Sequence, residues 1–178
     1  MNVKKYFLVG MPASGKSTIG RLLAGQLRVE FFDLDQIIEE TEGEPITDIF
    51  TNKGETYFRE LEKTTLEEFI NTRNNYVLAT GGGAPCFFDN MEIMNKHGIT
   101  VFLDVDIMDL YKKLSTKGTH KRPLLKGKSK KQLKKELLLK YDERKPFYDQ
   151  STICLNQRLD DVNDRVNQVI FAIKTLEK

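Results

Sequence analysis

The chain has little cysteine and little net charge. Its 178 residues include only two cysteines, Cys86 and Cys154, which form no CxxC pair and have no histidine cluster beside them. This pattern argues against a disulfide framework and against a zinc site. The net charge is only +2, which is too balanced for nucleic acid to be the main partner.

Long hydrophobic runs are also lacking. No apolar stretch approaches the roughly 18 residues of a membrane span, and the apolar part of residues 1–12 is too short for a convincing signal peptide. Hydrophobic residues make up 39% and charged residues 30%, the composition of an ordinary globular protein. We therefore expect one cytoplasmic domain over residues 1–178 that binds neither membrane nor nucleic acid. We also expect a monomer, since no exposed apolar helix stripe stands out.

Short apolar runs alternate along the chain with longer helical patterns. The runs that read as strands are residues 6–10, 30–32, 76–80, 99–105 and 152–155. Five strands separated by helices predict a three-layer α/β/α fold with a five-stranded parallel sheet. Ligands of such folds bind beyond the carboxyl ends of the strands, so motifs that directly follow a strand are candidate sites.

Apolar residues at helical spacing predict the helices. The clearest sets are Ile19, Leu22, Leu23 and Leu27; Val162, Val166, Val169, Ile170 and Ile173; and Leu133, Leu137, Leu138 and Tyr141. Residues 46–70 are predicted to be helical on both sides of Gly54. Residues 115–130 break the pattern, which indicates a mobile surface loop, and the lysine-rich residues 126–140 are typical of a solvated helix face.

The motif "GMPASGKS", residues 10–17, lies between a predicted strand and a predicted helix and fits G-x-x-x-x-G-K-[ST]. In such a loop the backbone N–H groups and the helix N-terminus surround phosphate oxygens, Lys16 reaches the β- and γ-phosphates, and the Ser17 hydroxyl binds Mg²⁺. A glycine-rich turn before a helix is the structural alternative. The expected ligand is a nucleoside triphosphate with magnesium.

A phosphate loop alone leaves a switch GTPase, an ATPase motor and a small-molecule kinase open. The N-K-x-D guanine signature is absent, which argues against a switch GTPase. A kinase needs a carboxylate at the acceptor hydroxyl, groups that fix the acceptor, and a lid that excludes water.

Two acids in "FFDLDQ", Asp33 and Asp35, follow the second predicted strand. If the strand continued through both residues, its alternation would point both side chains to the same face of the sheet. Alternatively, Asp33 and Gln36 form a helix-capping box, or Asp35 caps a helix that begins at Gln36. Capping explains one acid but not both.

Other polar positions become informative only together. The run "GGG" at residues 81–83 follows the third predicted strand and permits close backbone approach. Arg59 and Glu62 are i,i+3 neighbours on a helix, a pair that alone contributes little. Taken singly, Arg122 and Arg144 are ordinary arginines.

Six short motifs, in order along nearly the whole chain, resemble those of the shikimate kinases, members of the nucleoside-monophosphate-kinase-like superfamily. They are "GMPASGKST", "FFDLD", "RELE", "GGG", "RPLL" and "ERKPFY". The resemblance implies a P-loop kinase fold with a mobile lid at about 115–130 and an acceptor-binding helical region at about 34–62. It also implies that the chain uses ATP and Mg²⁺ to phosphorylate the 3-hydroxyl of shikimate. The products are shikimate 3-phosphate and ADP, and the reaction belongs to aromatic amino-acid biosynthesis.

The resemblance also assigns roles to individual residues. The nucleotide contacts it implies are Gly10, Ala13, Ser14, Gly15, Lys16, Ser17, Thr18, Arg122 in the lid and Arg158 near the adenine. Ser17 and Asp33 are implied at the metal, and Asp35 as the base at the acceptor hydroxyl. Arg59 and Arg144 are implied to hold the acceptor carboxylate, Glu62 to orient Arg59, and Gly82 and Gly83 to contact the acceptor through their backbone. Catalysis is thereby assigned to Asp35, Lys16 and Arg122.

The sequence departs from this family pattern in two places. Many relatives carry a further arginine early in the lid, where this chain has Lys117 and Lys121, and "CLNQRLDD" keeps Arg158 without the usual proline. The alternatives are a kinase for gluconate or a nucleoside monophosphate on the same fold, and a nucleotide-binding module without transfer chemistry.

Overall fold

A computed structural model of the chain describes residues 4–117, 130–156 and 161–176. Its strands are β1 (Lys5–Val9), β2 (Glu30–Asp33), β3 (Tyr76–Ala79), β4 (Ile99–Asp104) and β5 (Ile153–Asn156). They form one five-stranded sheet in the order β2-β3-β1-β4-β5, and each neighbouring pair is parallel. The predicted parallel sheet is confirmed.

Helices connect the strands and cover both faces of the sheet. They are α1 (Lys16–Leu27), α2 (Leu34–Glu42), α3 (Ile46–Asn52), α4 (Gly54–Thr72), α5 (Asn90–His97), α6 (Ile107–Lys117), α7 (Lys130–Tyr148) and α8 (Val162–Leu176). The predicted break at Gly54 is confirmed, because α3 ends and α4 begins on either side of Lys53. Within the described residues, no helix has both the length and the apolar character needed to cross a membrane.

Strand β1 shows how the sheet divides the core in two. Tyr6 and Leu8 point to one face, where they pack with apolar residues of α1 and α8. Phe7 and Val9 point to the other face, which α2 to α7 cover. Because side chains alternate along a strand, one buried strand serves two hydrophobic layers, and the result is the predicted three-layer architecture.

Two leucines of the predicted helix stripes lie outside the core. Leu22 is 40% exposed while Leu23 beside it is fully buried, and Leu138 is 41% exposed while Leu137 is fully buried. Neighbouring residues on a helix are turned about 100° apart, so one leucine of each pair faces the core and the other faces outward. Leu22 and Leu138 thus lie in helices, as their spacing predicts, but outside the buried faces of those helices.

The strand order places the sequence motifs side by side. The loop after β1 is the phosphate loop, β2 ends at Asp33, and β3 ends just before Thr80 and the glycines 81–83. Because β3 lies between β1 and β2, the carboxyl ends of these three strands meet at one edge of the sheet. Every motif that follows one of these strands therefore faces the same space.

Candidate active site

A cleft of about 860 Å³ opens at this edge of the sheet. Its walls combine the phosphate loop, both acids of "FFDLDQ", the three glycines after β3, Arg59 of α4 and Arg144 of α7. The structure thus brings together most of the residues singled out in the sequence. Arg122, Lys121 and Arg158 lie outside the described residues, and Lys117 is the last residue of α6.

The phosphate loop has a backbone that requires glycine. Gly10 and Gly15 have φ values of 137° and 99°, which are positive values that side-chain-bearing residues rarely adopt. A Cβ at Gly10 would also lie only 2.9 Å from the carbonyl oxygen of Leu103. Ala13 adopts a φ of 66°, so one residue of the loop accepts the left-handed conformation with a side chain.

Two side chains of the loop are buried. The Lys16 ammonium donates to the carbonyl oxygens of Gly10 and Met11, at 2.8 and 3.0 Å. Ser14 is fully buried, and its hydroxyl has no hydrogen-bond partner among the described residues. Ser17 and Thr18 at the start of α1 are exposed at the cleft.

Asp33 lies beside Ser17 and caps α2. Its Oδ2 accepts the Ser17 hydroxyl at 2.7 Å, and its Oδ1 accepts the backbone N–H of Asp35 at 3.2 Å. Helix α2 therefore begins at Leu34 with Asp33 as its N-cap. The alternative in which Asp35 caps a helix starting at Gln36 is wrong. Strand alternation stops at Asp33, so the two acids are held by different elements.

The Ser17 hydroxyl and the Asp33 carboxylate fit a magnesium ion. Mg²⁺ prefers oxygen ligands and is usually held by one or two protein side chains together with water and substrate phosphates. Within residues 4–117, 130–156 and 161–176, no group of three or more His, Cys, Asp or Glu side chains could hold a metal. The two oxygens at this edge thus suit a metal that arrives with the phosphates of the nucleotide.

Arg59 is buried and fixed on several sides. Its Nη1 donates to Glu62 Oε2 at 2.7 Å, and its Nη2 donates to Glu55 Oε1 at 3.1 Å. Its guanidinium carbon lies 4.2 Å from the ring centroid of Phe87 and 5.0 Å from that of Phe58. Such a cation over aromatic rings is favourable when desolvated, so the aromatic walls hold the guanidinium plane.

Glu62 is fully buried behind Arg59. Burial raises the pKa of Glu62 to about 7, and Arg59 opposes this rise without cancelling it. Its Oε1 is buried and has no hydrogen-bond partner within the part of the chain that the structure describes. Burying this carboxyl at the wall of the cleft therefore costs the folded chain more free energy than burying a fully hydrogen-bonded group would.

The three glycines after β3 each make room for a side chain of the site. A Cβ at Gly81 would lie 2.8 Å from Asp35 Oδ1 and 2.9 Å from Glu62 Oε1. A Cβ at Gly82 would lie 2.8 Å from Pro12 of the phosphate loop, and one at Gly83 would lie 2.7 Å from both terminal nitrogens of Arg59. The segment thus allows an acid, the phosphate loop and an arginine to approach one stretch of backbone.

Several residues of this site were missed by sequence reasoning. Gly81 was not singled out from the run of glycines, although it is the glycine nearest the end of β3. Phe87 carried no signal, because its contact with Arg59 joins two separate segments. Lys113 of α6 and Lys140 of α7 line the cleft and add positive charge to its wall. Lys140 had been assigned to a solvated helix face, and Lys113 had not been singled out.

Comparisons with known proteins agree with this geometry. A sequence model of the family described as shikimate kinase matches residues 12–174. A shikimate kinase from Bacteroides fragilis is 41% identical over 174 residues, which cover 98% of this chain and 94% of the relative.

Solved structures give the same result. A shikimate kinase from Bacteroides thetaiotaomicron has a TM-score of 0.90 and 38% identity, and covers 97% of this chain and 99% of its own. A shikimate kinase from Acinetobacter baumannii, solved in complex with shikimate, has a TM-score of 0.89 and 31% identity, with 98% and 94% covered. A gluconokinase from Sinorhizobium meliloti shares the fold alone, with a TM-score of 0.60 and 15% identity.

Proposed function

The chain belongs to the shikimate kinase family, and we propose that it transfers the γ-phosphoryl group of ATP to the 3-hydroxyl of shikimate. The products are shikimate 3-phosphate and ADP, and the reaction serves aromatic amino-acid biosynthesis. The observation that carries this proposal is the layout of one cleft. Arginines 59 and 144 and the acid Asp35 line the same cleft as a phosphate loop.

The two arginines suit the carboxylate of the acceptor. A guanidinium binds a carboxylate through two parallel hydrogen bonds, which fixes orientation as well as charge. Arg59 is held from inside by buried Glu62, whereas its other partner, Glu55, has a side chain that is 47% exposed. The acceptor carboxylate therefore takes the place of Glu55 on Arg59, and Arg144 binds it from α7.

Asp35 suits the hydroxyl end of the acceptor. In the proposed step the acceptor oxygen forms a bond to the γ-phosphorus while the bond from phosphorus to the β,γ-bridging oxygen breaks. The hydroxyl proton passes to Asp35, and the electron pair of the broken bond leaves with ADP. Phosphoryl transfer requires mainly alignment and charge stabilisation, so Asp35 acts by orienting the hydroxyl and then accepting its proton.

The phosphates are assigned to the loop. Backbone N–H groups from Gly10 to Thr18 surround the β- and γ-phosphates, and Lys16 turns from the loop carbonyls to the phosphate oxygens. Ser17 and Asp33 would hold Mg²⁺, which would supply positive charge to the phosphates when bound. We assign Arg122 to the transferring phosphate and Arg158 to the adenine.

An acceptor panel tests the proposed function. Release of ADP from MgATP is measured with shikimate, gluconate and nucleoside monophosphates as separate acceptors, and Asp35→Asn serves as the control. We expect turnover with shikimate only. Turnover with gluconate alone would overturn the acceptor assignment. MgATP binding without transfer to any acceptor would overturn the assignment as a kinase.

We further propose that residues 1–178 act as one monomeric cytoplasmic domain whose partners are ATP and shikimate. The free thiols of Cys86 and Cys154 support a reducing compartment. Light scattering during size-exclusion chromatography tests the monomer, and a mass of twice 20.6 kDa would contradict it.

A further inference from the structure

Tyr148 joins three parts of the site from a fully buried position. It is the last residue of α7, and its hydroxyl donates a short hydrogen bond to the carbonyl oxygen of Gly82. The same hydroxyl lies 3.8 Å from the sulfur of Met11 in the phosphate loop. Its ring packs on Phe102 of β4, with ring centroids 5.0 Å apart. A buried tyrosine hydroxyl needs such a partner, so the contact fixes where this end of α7 meets the glycines.

The bond from Tyr148 fixes more than one carbonyl group. The peptide unit between Gly82 and Gly83 is planar and trans, so its N–H points opposite to its C=O. Because the Gly82 carbonyl points to a hydroxyl inside the core, the Gly83 N–H points away from that hydroxyl. Gly82 and Gly83 also line the cleft. Glycine is the residue with the widest choice of backbone angles, so this peptide needs an external anchor to keep one orientation.

Tyr148 also sets the position of Arg144. The two residues are four apart on α7, so they lie on the same face of the helix one turn from each other. Anchoring Tyr148 against Gly82 therefore determines how far Arg144 reaches into the cleft.

We propose that Tyr148 is a positioning residue for the acceptor, which rests on the proposed function. Its hydroxyl holds the Gly82–Gly83 peptide so that the Gly83 N–H meets the acceptor, and it holds α7 so that Arg144 meets the acceptor carboxylate. The phosphate loop meets this hydroxyl at the sulfur of Met11, which is a weak hydrogen-bond acceptor, so losing the hydroxyl should affect the nucleotide half of the cleft much less.

The test is Tyr148→Phe, which removes the hydroxyl and keeps the ring on Phe102. We expect the KM for shikimate to rise about tenfold, the change that one lost hydrogen bond of ordinary strength produces. We expect kcat and the KM for ATP to stay within about twofold. The matched control is Tyr76→Phe, since Tyr76 is also fully buried and its hydroxyl has no hydrogen-bond partner among the described residues. This control should leave the KM for shikimate unchanged.

A second measurement uses the unaltered chain and covers the case in which Tyr148→Phe does not fold. The only Gly–Gly pairs in the sequence are within residues 81–83. Glycine labelled with ¹³C at the carbonyl and ¹⁵N at the amide therefore gives carbonyl-to-amide correlations for Gly82 and Gly83 alone. On addition of shikimate we expect the Gly83 amide signal to shift.

Three outcomes would overturn the inference. They are an unchanged KM for shikimate in a folded Tyr148→Phe, an equal rise in the KM for ATP, and a Gly83 amide that does not respond to shikimate in the unaltered chain. If the unaltered enzyme itself does not phosphorylate shikimate, the proposed function fails and this inference fails with it. In an active enzyme the three outcomes overturn the role of Tyr148 alone.

Discussion

The Ser17 hydroxyl donates to Oδ2 of Asp33 at 2.7 Å, while Oδ1 of the same carboxylate caps α2 through the backbone N–H of Asp35. One side chain thereby connects the start of α1, where the phosphate loop ends, with the start of α2, which carries the candidate base. A substitution that keeps the cap but removes the charge separates the two tasks of Asp33.

Asp33→Asn is that substitution. Asparagine caps helices as well as aspartate, so we expect the free energy of unfolding to change by less than about 1 kcal/mol. A neutral amide binds Mg²⁺ more weakly than a carboxylate, so the free Mg²⁺ needed for half-maximal rate should rise about tenfold. The rate is measured against free Mg²⁺ at fixed ATP. An unchanged magnesium curve would remove Asp33 from the metal site.

For Asp35→Asn we expect a loss of transfer without a loss of nucleotide binding. Removing a positioned base lowers kcat by about 10²- to 10⁴-fold, and the affinity for ATP should stay within about twofold because the proposed function assigns Asp35 to the acceptor. Single-turnover kinetics and calorimetric ATP binding are measured together. Glu40→Gln, the same change at an exposed position of α2, should have no effect. If binding and turnover fall together, Asp35 is not the base.

Gly81→Ala tests the close approach at the end of β3. The added methyl group would lie within 3 Å of the carboxylates of Asp35 and Glu62. We expect these two side chains in the acceptor half of the cleft to be displaced. The variant should lose most of its activity, and its free energy of unfolding should fall by about 1–3 kcal/mol.

Gly25→Ala on α1 is the matched control for this substitution, because nothing lies within 4 Å of its Cβ position. Alanine is the better helix former, so this variant should be more stable by about 0.5–1 kcal/mol and fully active. Unfolding in urea measures the stability of both variants, and steady-state kinetics measure their activity. Full activity in Gly81→Ala would show that the carboxylates do not need their present positions.

Stability should depend on pH through Glu62. Burial raises the pKa of Glu62 from its ordinary 4.5 to about 7, so between these values the folded chain holds the proton more tightly than the unfolded chain does. The contribution of this group to stability is therefore complete below about pH 4.5 and is lost as the pH rises through about 7.

Glu62→Gln removes this titration. We expect the difference in unfolding free energy between the unaltered chain and Glu62→Gln to change in favour of the variant from pH 5 to pH 8. Urea denaturation at several pH values measures it, and Glu68→Gln on the exposed face of α4 is the control. A difference that is independent of pH would show that Glu62 is already ionised in the folded chain at pH 5.

Periodicity predicted the fold because the sheet and most helices bury simple stripes. The five strands are short apolar runs, and residues 46–70 divide at Gly54 as expected. Helix α5 was not predicted. It has only two turns and buries mainly Met91 and Met94 against the core, which is too short a pattern to recognise.

The site was predictable only where chemistry is concentrated in a short motif. Lys16 and Asp35 stand in such motifs, whereas the bond from Tyr148 to Gly82 joins residues 66 positions apart. The stacking of Phe87 on Arg59 likewise depends on how a loop folds over α4. No local pattern encodes these contacts, since they exist only after the sheet has brought the segments together.

The glycines at residues 81–83 also limit how the enzyme can evolve resistance to an inhibitor that binds this segment. Every replacement of a glycine adds at least a Cβ, and at each of the three positions that atom would meet Asp35 and Glu62, Pro12 or Arg59 at 2.9 Å or less. An inhibitor that makes its main contacts with the backbone of this segment would therefore meet a surface where each single substitution forces Asp35 and Glu62, Pro12 or Arg59 to move.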